Sequence, residues 1–267
     1  MRLKSLGLET DLLYPRHFGK VFRRDECIVV KTPSRPNYFW GNYFIMPHAP
    51  KCGDFAKWRS WYDQEFDSAQ QGFMTFAIDS SVDDTNGLSD FTAAGFTAKA
   101  QSVLTASNVS PPPKRNADAT VREIKTEADW SQVADVHISD EWYLNPESQL
   151  DFVNQNIQDL RELSNAGLGR RFGAFLGEKL VADLGIYTSN HLGRFNEVTT
   201  HRQFRRQGLC GTLVYETALI AFQEMGVSTL VMVADENYHA AAIYESVGFN
   251  PTYRQTMLEW FDPAIHG

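Results

Sequence analysis

The alternation of apolar and polar residues divides the second half of the chain into short strands and amphipathic helices. Apolar residues recur at helical spacing in 128–136, 149–163, 211–225 and 240–247. Strand-like patterns occupy 121–124, 171–176, 180–186, 195–200, 227–234 and 252–260. This order of elements predicts an α/β (α+β layered) fold, in which a mixed sheet carries helices.

The stretch 107–118 has no hydrophobic period and contains Pro111, Pro112 and Pro113 in succession. Three prolines remove three backbone donors and favour an extended, solvated spacer. We therefore expect one domain at 1–106, a Pro-rich linker at 107–118 and a second domain at 119–267.

Composition narrows the class of protein. Hydrophobic residues make up 43% of the chain, which is typical of a folded domain and excludes wholesale disorder. No window has the run of about 18 apolar residues that a membrane span needs. The three cysteines, Cys27, Cys52 and Cys210, have neither a disulfide nor a metal-ligand pattern. A cytoplasmic protein with no metal and no membrane contact is expected.

Charge is distributed unevenly along the chain. Residues 1–118 carry 14 Lys and Arg against 13 Asp and Glu, whereas residues 119–267 carry 11 against 20. Nucleic-acid binding needs neutralisation of phosphates, so a net charge of −8 argues against it. An amine-bearing small molecule suits this balance better.

An anion site is predicted where the strand ending at Thr200 leads into the helix near Gly211. The intervening segment contains Arg205, Arg206 and Gly208. Backbone N–H groups converge at such a helix start, and glycine lets a phosphate come close. An ordinary strand-to-helix turn with solvated arginines is the alternative for this segment taken alone.

Two motifs lie in the second half: a glycine loop with Arg205, Gly208 and Cys210, and a helix motif with Asn237, Ala240, Tyr244, Glu245, Gly248 and Phe249. Together they resemble the GNAT superfamily of acyl-CoA-dependent N-acetyltransferases. The glycine loop of that family, Arg/Gln-x-x-Gly-x-Gly/Ala, is matched by Arg205, Gly208 and Cys210, with cysteine in the last small-residue position. Its second motif is matched in full by Asn237, Ala240, Tyr244, Glu245, Gly248 and Phe249. The resemblance extends from Thr120 to Trp260, and it implies a mostly antiparallel twisted sheet flanked by helices.

The resemblance also implies roles for individual residues. Val198, Thr199 and Thr200 would pair with the pantetheine arm of acetyl-CoA, and Asn237 and Ala240 would contact the cofactor further along. Tyr244 would donate a proton to the departing CoA thiolate, although a core aromatic is the alternative for a lone tyrosine. The pyrophosphate would be held by the loop and helix start: Arg205, Arg206, Gln207, Gly208, Leu209, Cys210, Gly211 and Thr212.

A base is needed because free amines are mostly protonated at neutral pH. Glu197, on the strand expected to face the thioester, is the candidate base; a water chain and an outward polar residue are the alternatives. Glu245 is expected to be a solvated or structural helix residue. Cys210 lacks a histidine at activating spacing, which favours direct transfer over an acyl-enzyme. His201 and His239 are expected to be surface or phosphate-proximal residues.

The first half of the chain contains a degenerate repeat of the second half. Phe91, Gly95 and Phe96 have the spacing of Tyr244, Gly248 and Phe249, at an offset of 153 positions. The same offset aligns strands at 42–46 and 74–81 and a helix at 58–72. Because it replaces Arg205 and Gly208 by Cys52 and Phe55, we expect a degenerate GNAT-like domain without a cofactor motif, in a tandem arrangement. The aromatic stretch 38–43 is expected either to line the acceptor site or to pack in the core or between the domains.

The sequence thus predicts an acyltransferase that moves an acetyl group from acetyl-CoA to a primary amine in a ternary complex. The acceptor is a small molecule or a peptide amine, and the protein is a monomer or a homodimer. A non-catalytic acyl-CoA sensor or scaffold, and a transferase for a longer acyl group, are the alternatives.

Overall fold

The computed structural model describes residues 1–80, 87–139, 146–236 and 240–266. Its strands are β1 Lys20–Arg23, β2 Ile28–Lys31, β3 Tyr43–Met46, β4 Phe73–Ile78, β5 Thr97–Ala106, β6 Ala119–Glu123, β7 Gly169–Leu176, β8 Lys179–Ser189, β9 Leu192–Thr200, β10 Thr229–Asp235 and β11 Asn250–Phe261. Its helices are α1 Leu6–Asp11, α2 Leu13–Phe18, α3 Asp54–Glu65, α4 Ser68–Gln71, α5 Leu88–Ala93, α6 Glu127–Ile138, α7 Pro146–Asn165, α8 Leu209–Glu224, α9 Ala240–Val247 and α10 Pro263–His266. The predicted α/β class and the predicted element order of the second half are confirmed. None of the described helices has the length and apolar character that crossing a membrane requires.

The chain forms two compact units that do not follow the predicted boundaries. The first consists of Met1–Val103, Val233–Tyr238 and Pro251–Gly267, and the second of Leu104–Met232 and His239–Asn250. The difference arises because β11 pairs antiparallel with β4, from Thr256 opposite Ile78 to Phe261 opposite Phe73. Backbone pairing thus assigns the last strand to the first unit, a long-range choice that local periodicity does not encode.

In the first unit the strand order is β1, β2, β3, β4, β11, β5. The pairs β1–β2, β2–β3 and β4–β11 are antiparallel, whereas β3 and β4 are parallel and are linked through α3. One face of the sheet buries a largely aromatic cluster that includes Trp58, Phe76 and Phe91. The other face packs against the first helices through Leu8 and Leu12. Tyr43 belongs to that second cluster, and Trp40 packs against it, which favours the packing interpretation of the aromatic stretch 38–43.

In the second unit the strand order is β10, β9, β8, β7, β6. Here too a single parallel pair, β9 with β10, joins otherwise antiparallel strands. α6 begins with a capping box in which Thr126 and Asp129 satisfy each other's backbone N–H groups. α6 and α7 pack together, and α8 packs across β6, β7, β8 and β9.

The internal repeat is visible in the glycines at helix ends. Gly95 and Gly248, at φ +88° and +110°, end α5 and α9. Behind them Phe96 and Phe249 donate their N–H groups to the carbonyls of Phe91 and Tyr244.

The predicted gapless offset is wrong at one place. α3 and α8 begin after the left-handed glycines Gly53 and Gly208, which lie 155 rather than 153 positions apart. The loop glycine is therefore retained in the first unit, as Gly53. The helix predicted at 58–72 is also two helices, because Phe66 is extended after α3 and Asp67 caps α4.

Candidate active site

The two parallel strands of the second unit separate before β9 ends. In the described chain their pairing comprises Leu192 to Arg194 opposite Thr229 to Val231. The residues of β9 from Phe195 onward keep pairing with β8 on the opposite edge. A strand edge that is open in this way can pair with an extended ligand through its backbone. It contains the predicted pantetheine contacts Val198, Thr199 and Thr200, which are all half-buried.

The first unit is closed at the corresponding place. β3 and β4 pair up to their last residues, Met46 opposite Ile78, and Asp79 then donates its N–H to the Met46 carbonyl at 2.8 Å. At the start of α3 the N–H of Gly53 donates to the carboxylate of Asp90 at 3.2 Å. The Asp90 carboxylate therefore lies at the start of α3, where the equivalent start of α8 in the second unit is expected to bind an anion.

A β-bulge reorients Glu197. Asp183 pairs with Thr199 and Gly185 pairs with Asn196, so Glu197 and Val198 together lie opposite Leu184. Glu197 has φ +49°, in the left-handed region that non-glycine residues rarely adopt.

The bulge brings Glu197 to a buried cluster of charges. Its Oε2 lies 3.6 Å from Nη1 of Arg171, a side chain that is 1% exposed. Arg171 Nε donates to Asp183 at 2.6 Å, and its Nη2 is 2.9 Å from His137 Nε2. Burial opposes the charged form of Asp183, but the Arg171 guanidinium holds the pKa of that carboxyl below its usual range. The sequence analysis missed these partners of Glu197. Arg171 and Asp183, each a charged residue in a largely apolar strand, were the signal that could have indicated them.

The loop before α8 has the conformation expected of an anion-binding nest. Arg206 and Gly208 both lie in the left-handed region, at φ +64° and +80°. α8 has no side-chain cap among the described residues, so the N–H groups of its first turn are donors that the loop offers to an anion. Arg205 folds back, with its Nε donating to the Thr200 carbonyl at 3.1 Å.

The segment 107–118 packs against this loop and is not a free spacer. Lys114 Nζ donates to the Arg206 carbonyl, and Asn116 Nδ2 donates to the Gln207 carbonyl at 3.0 Å. A Cβ on Gly208 would lie 2.6 Å from the Lys114 carbonyl oxygen. Most of the segment is exposed, as predicted, but Pro112 is buried beside Gly211. Docking satisfies loop carbonyls that a solvated linker would leave to water.

Three of the predicted phosphate contacts serve the protein itself. Thr212 is 2% exposed, and its hydroxyl donates to the Gly208 carbonyl while accepting from the Asn116 N–H. Leu209 has a buried side chain, which leaves only its backbone for a ligand. Burial raises the pKa of the Cys210 thiol to about 12, which disfavours a nucleophilic role.

Tyr244 lies on α9, where it is 6% exposed and makes an edge contact with Phe249. Ala240 begins the same helix and is half-buried, and Glu245 is exposed, as expected. Asn237 and His239 lie outside the described residues.

His201 lines a cavity of about 420 Å³ together with the end of α6, the start of β8 and residues 202–203. Burial, with help from Lys179 and Arg205, lowers the pKa of His201. Across the described ranges, no group of three His, Cys, Asp or Glu side chains is placed to hold a metal ion.

Solved structures share this fold at low sequence identity. A conserved protein of unknown function from Staphylococcus epidermidis is 13% identical, with a TM-score of 0.74 over 91% of this chain and 94% of that chain. A GCN5-related N-acetyltransferase from Kribbella flavida is 13% identical, with a TM-score of 0.64 over 97% and 96%. A tandem GNAT protein from the clavulanic acid biosynthesis pathway is 15% identical, with a TM-score of 0.51 over 86% and 72%. These likenesses concern the fold alone.

Sequence comparison adds the family. No curated protein sequence gives a significant match. The model of the acetyltransferase (GNAT) family matches residues 135–249, which include the bulged strand, the nest loop and Tyr244. Residues 135–249 of this chain therefore form a region similar to the acetyltransferase (GNAT) family.

Proposed function

We propose that the protein is an acetyl-CoA-dependent N-acetyltransferase that acetylates a primary amine. The observation that carries this proposal is the open edge of β9 from Phe195 to Thr200, which leads directly into the nest loop. The open strand edge can pair with an extended pantetheine arm, and the nest loop can bind a pyrophosphate. Neither feature is present in the described part of the first unit, because β3 and β4 pair to their ends and Asp90 binds the Gly53 N–H.

Acetyl-CoA fits the residues at this site. The backbone of Val198 and Thr200 would pair with the pantetheine amides, and the N–H groups from Arg206 to Gly211 would bind the pyrophosphate. When bound, acetyl-CoA supplies an activated acetyl thioester. Asn237 and Ala240 remain proposed contacts near the start of α9.

Glu197 and Tyr244 divide the proton transfers of the reaction between them. Glu197 accepts the proton that the amine nitrogen loses as it bonds to the acetyl carbon. Tyr244 donates its phenolic proton to the sulfur when the carbon–sulfur bond breaks. The products are an N-acetyl amide and the free CoA thiol, so atoms and protons balance once both residues exchange their protons with water. The high pKa of Cys210 supports direct transfer within a ternary complex over a covalent acyl-enzyme.

Two other functions remain as alternatives. A non-catalytic acyl-CoA sensor would need only the open edge and the loop, whereas the retained Glu197 and Tyr244 favour an enzyme. A transferase for a longer acyl group would use the same residues. A small molecule or a peptide amine is the proposed acceptor, and a monomer or homodimer the proposed assembly.

The test is an acceptor screen in which thiol release is measured with a panel of acyl-CoA thioesters. We expect amine-dependent release that is fastest with acetyl-CoA, and mass spectrometry should show a product heavier by one acetyl group. Tight acyl-CoA binding without amine-dependent release for any acceptor would favour the sensor. Faster release with a longer thioester would identify a different acyl donor.

A further inference from the structure

Glu197 occupies a conformation that its own backbone does not favour. A non-glycine residue at φ +49° is strained and persists only where its surroundings hold it. Side chains alternate along a strand, and Asn196 shares a face with Gly185 and Arg171 through cross-strand pairing. Glu197, the next residue, would point away from that face without the bulge. Its contact with Arg171 shows that the bulge has turned it back.

Two buried side chains hold the carboxylate after this turn. Asn156, on α7, is 7% exposed, and its Nδ2 donates to Glu197 Oε1 at 2.5 Å. Arg171, on β7, faces the other oxygen, Oε2, at 3.6 Å. Each carboxylate oxygen of Glu197 is therefore faced by a donor from a different element. A neutral amide that donates to a carboxylate forms a charge-assisted bond, which fixes orientation as well as energy.

Arg171 is shared unequally between two carboxylates. Asp183 takes its short contacts, through Nε at 2.6 Å and through Nη2, whereas Nη1 faces Glu197 beyond hydrogen-bond distance. Among the described residues, Arg171 Nη1 and Glu197 Oε2 have no hydrogen-bond partner, and both atoms are buried. This arrangement attracts and orients Glu197 without locking it into a close ion pair. The Glu197 side chain as a whole is 27% exposed, and Oε1, which accepts one bond from Asn156, keeps a lone pair for a proton.

We propose that Asn156 and Arg171 are positioning residues for Glu197, and that they fix the carboxylate for proton transfer from the acceptor amine. This inference rests on the proposed function. Asp183 and His137 support it indirectly, since both contact Arg171 and keep its guanidinium in place. None of these residues needs to touch the acyl donor.

The principal test replaces Asn156 by alanine and uses Asn154→Ala as the control. Asn154 lies on the same helix but is exposed, so its replacement should leave kcat within about twofold of the wild type. We expect Asn156→Ala to lower kcat at least about tenfold, since a misplaced reacting group costs up to about 10²-fold. KM for acetyl-CoA should stay unchanged. Circular dichroism and thermal unfolding establish that each variant is folded.

A double-mutant cycle separates positioning from general structure. In a Glu197→Gln background, Asn156→Ala should cause no further loss of kcat, because the group that it positions has already been removed. Equal fractional losses in both backgrounds would overturn the inference, since Asn156 would then act independently of Glu197. Wild-type protein that shows no transfer with any acceptor would overturn the proposed function, and the inference with it.

Arg171→Lys is a second test variant. It keeps the positive charge but loses the planar guanidinium group with its several N–H donors. We expect kcat between those of the wild type and Arg171→Met, at unchanged KM for acetyl-CoA. Removing the Arg171 guanidinium takes the closest positive charge from the buried Asp183 and leaves that carboxylate beside His137, so Arg171→Met is the variant that can fail to fold. In that event the lysine variant alone decides: a folded Arg171→Lys with full kcat would show that guanidinium geometry does not position Glu197.

Discussion

Tyr244 and Phe91 occupy equivalent positions of the repeat and differ by one hydroxyl group. Both are buried on short helices that end at a left-handed glycine. Phe91 packs edge-on against Phe55 and Trp58, with ring centroids 5.1 Å and 5.3 Å away. A hydroxyl at Phe91 would enter an aromatic cluster, whereas Tyr244 lies in the domain that carries the nest loop. At this position the two units differ by the hydroxyl that the proposed mechanism uses.

Tyr244→Phe should lower turnover far more than it weakens acetyl-CoA binding. In the proposed mechanism the hydroxyl acts on a thiolate that develops only as the acetyl group leaves, so its loss should lower kcat. General acid assistance is worth about 10²–10⁴-fold, and we expect a fall of at least about tenfold even if water partly substitutes. Steady-state kinetics and calorimetric binding measure the two effects separately.

Phe91→Tyr is the matched control for that variant. It should produce no additional activity and should destabilise the protein by about 1–3 kcal/mol, the cost of burying a hydroxyl without a partner. Full turnover of Tyr244→Phe at saturating substrate, with chemistry rate-limiting, would remove Tyr244 from the mechanism and leave it a packing residue.

At the scale of elements, the start of α8 depends on a segment that precedes the domain's first strand. Lys114 and Asn116 bind loop carbonyls, and the Asn116 N–H also binds the Thr212 hydroxyl at 2.8 Å. Bulk at Gly208 would therefore displace this segment as well as obstruct a phosphate. The sequence alone suggested only the second effect.

Gly208→Ala and Gly53→Ala separate backbone strain from this packing. Both glycines are left-handed helix caps, but a Cβ on Gly53 has no neighbour within 4 Å, whereas one on Gly208 lies 2.6 Å from the Lys114 carbonyl oxygen. Gly53→Ala should cost about 1–2 kcal/mol of unfolding free energy and leave acetyl-CoA binding unchanged. Gly208→Ala should cost more and weaken binding at least about tenfold, which is about 1.4 kcal/mol. Equal stability losses with unchanged binding would refute the role of the docked segment.

The hydrophobic periodicity of the sequence predicted the helices and strands of the second half well because it reflects local burial. The helix over 240–247 has the predicted bounds, and the turn between β7 and β8 lies between the strands predicted at 171–176 and 180–186. Periodicity says nothing about which distant strand a segment joins, so the pairing of β11 with β4 was missed. Periodicity also could not predict the contact between Glu197 and Asn156. These residues are 41 positions apart, and they meet only because of the β-bulge.

For the whole molecule, the two units predict one acetyl-CoA site per chain. Only β9 has an open edge among the described strands of the two parallel pairs, and the helix start of the first unit binds its own carboxylate. Calorimetry should give a stoichiometry of one, and acetyl-CoA at 100 times its Kd should add about 2.7 kcal/mol to the stability of the folded state. Two equivalent sites per chain would contradict this reading of the first unit.

The return of β11 to the first unit also affects how the protein is made. About 170 residues separate the end of β4 from the start of β11. At translation rates of about 5–20 residues per second, the ribosome takes on the order of ten seconds or more to supply that strand. During that interval the edge of β4 has no native partner and presents unpaired backbone groups, which invite pairing with other chains. The first unit is thus begun before the second and completed after it, so until β11 is made the edge of β4 is protected only if a chaperone or a transient contact within the nascent chain covers it.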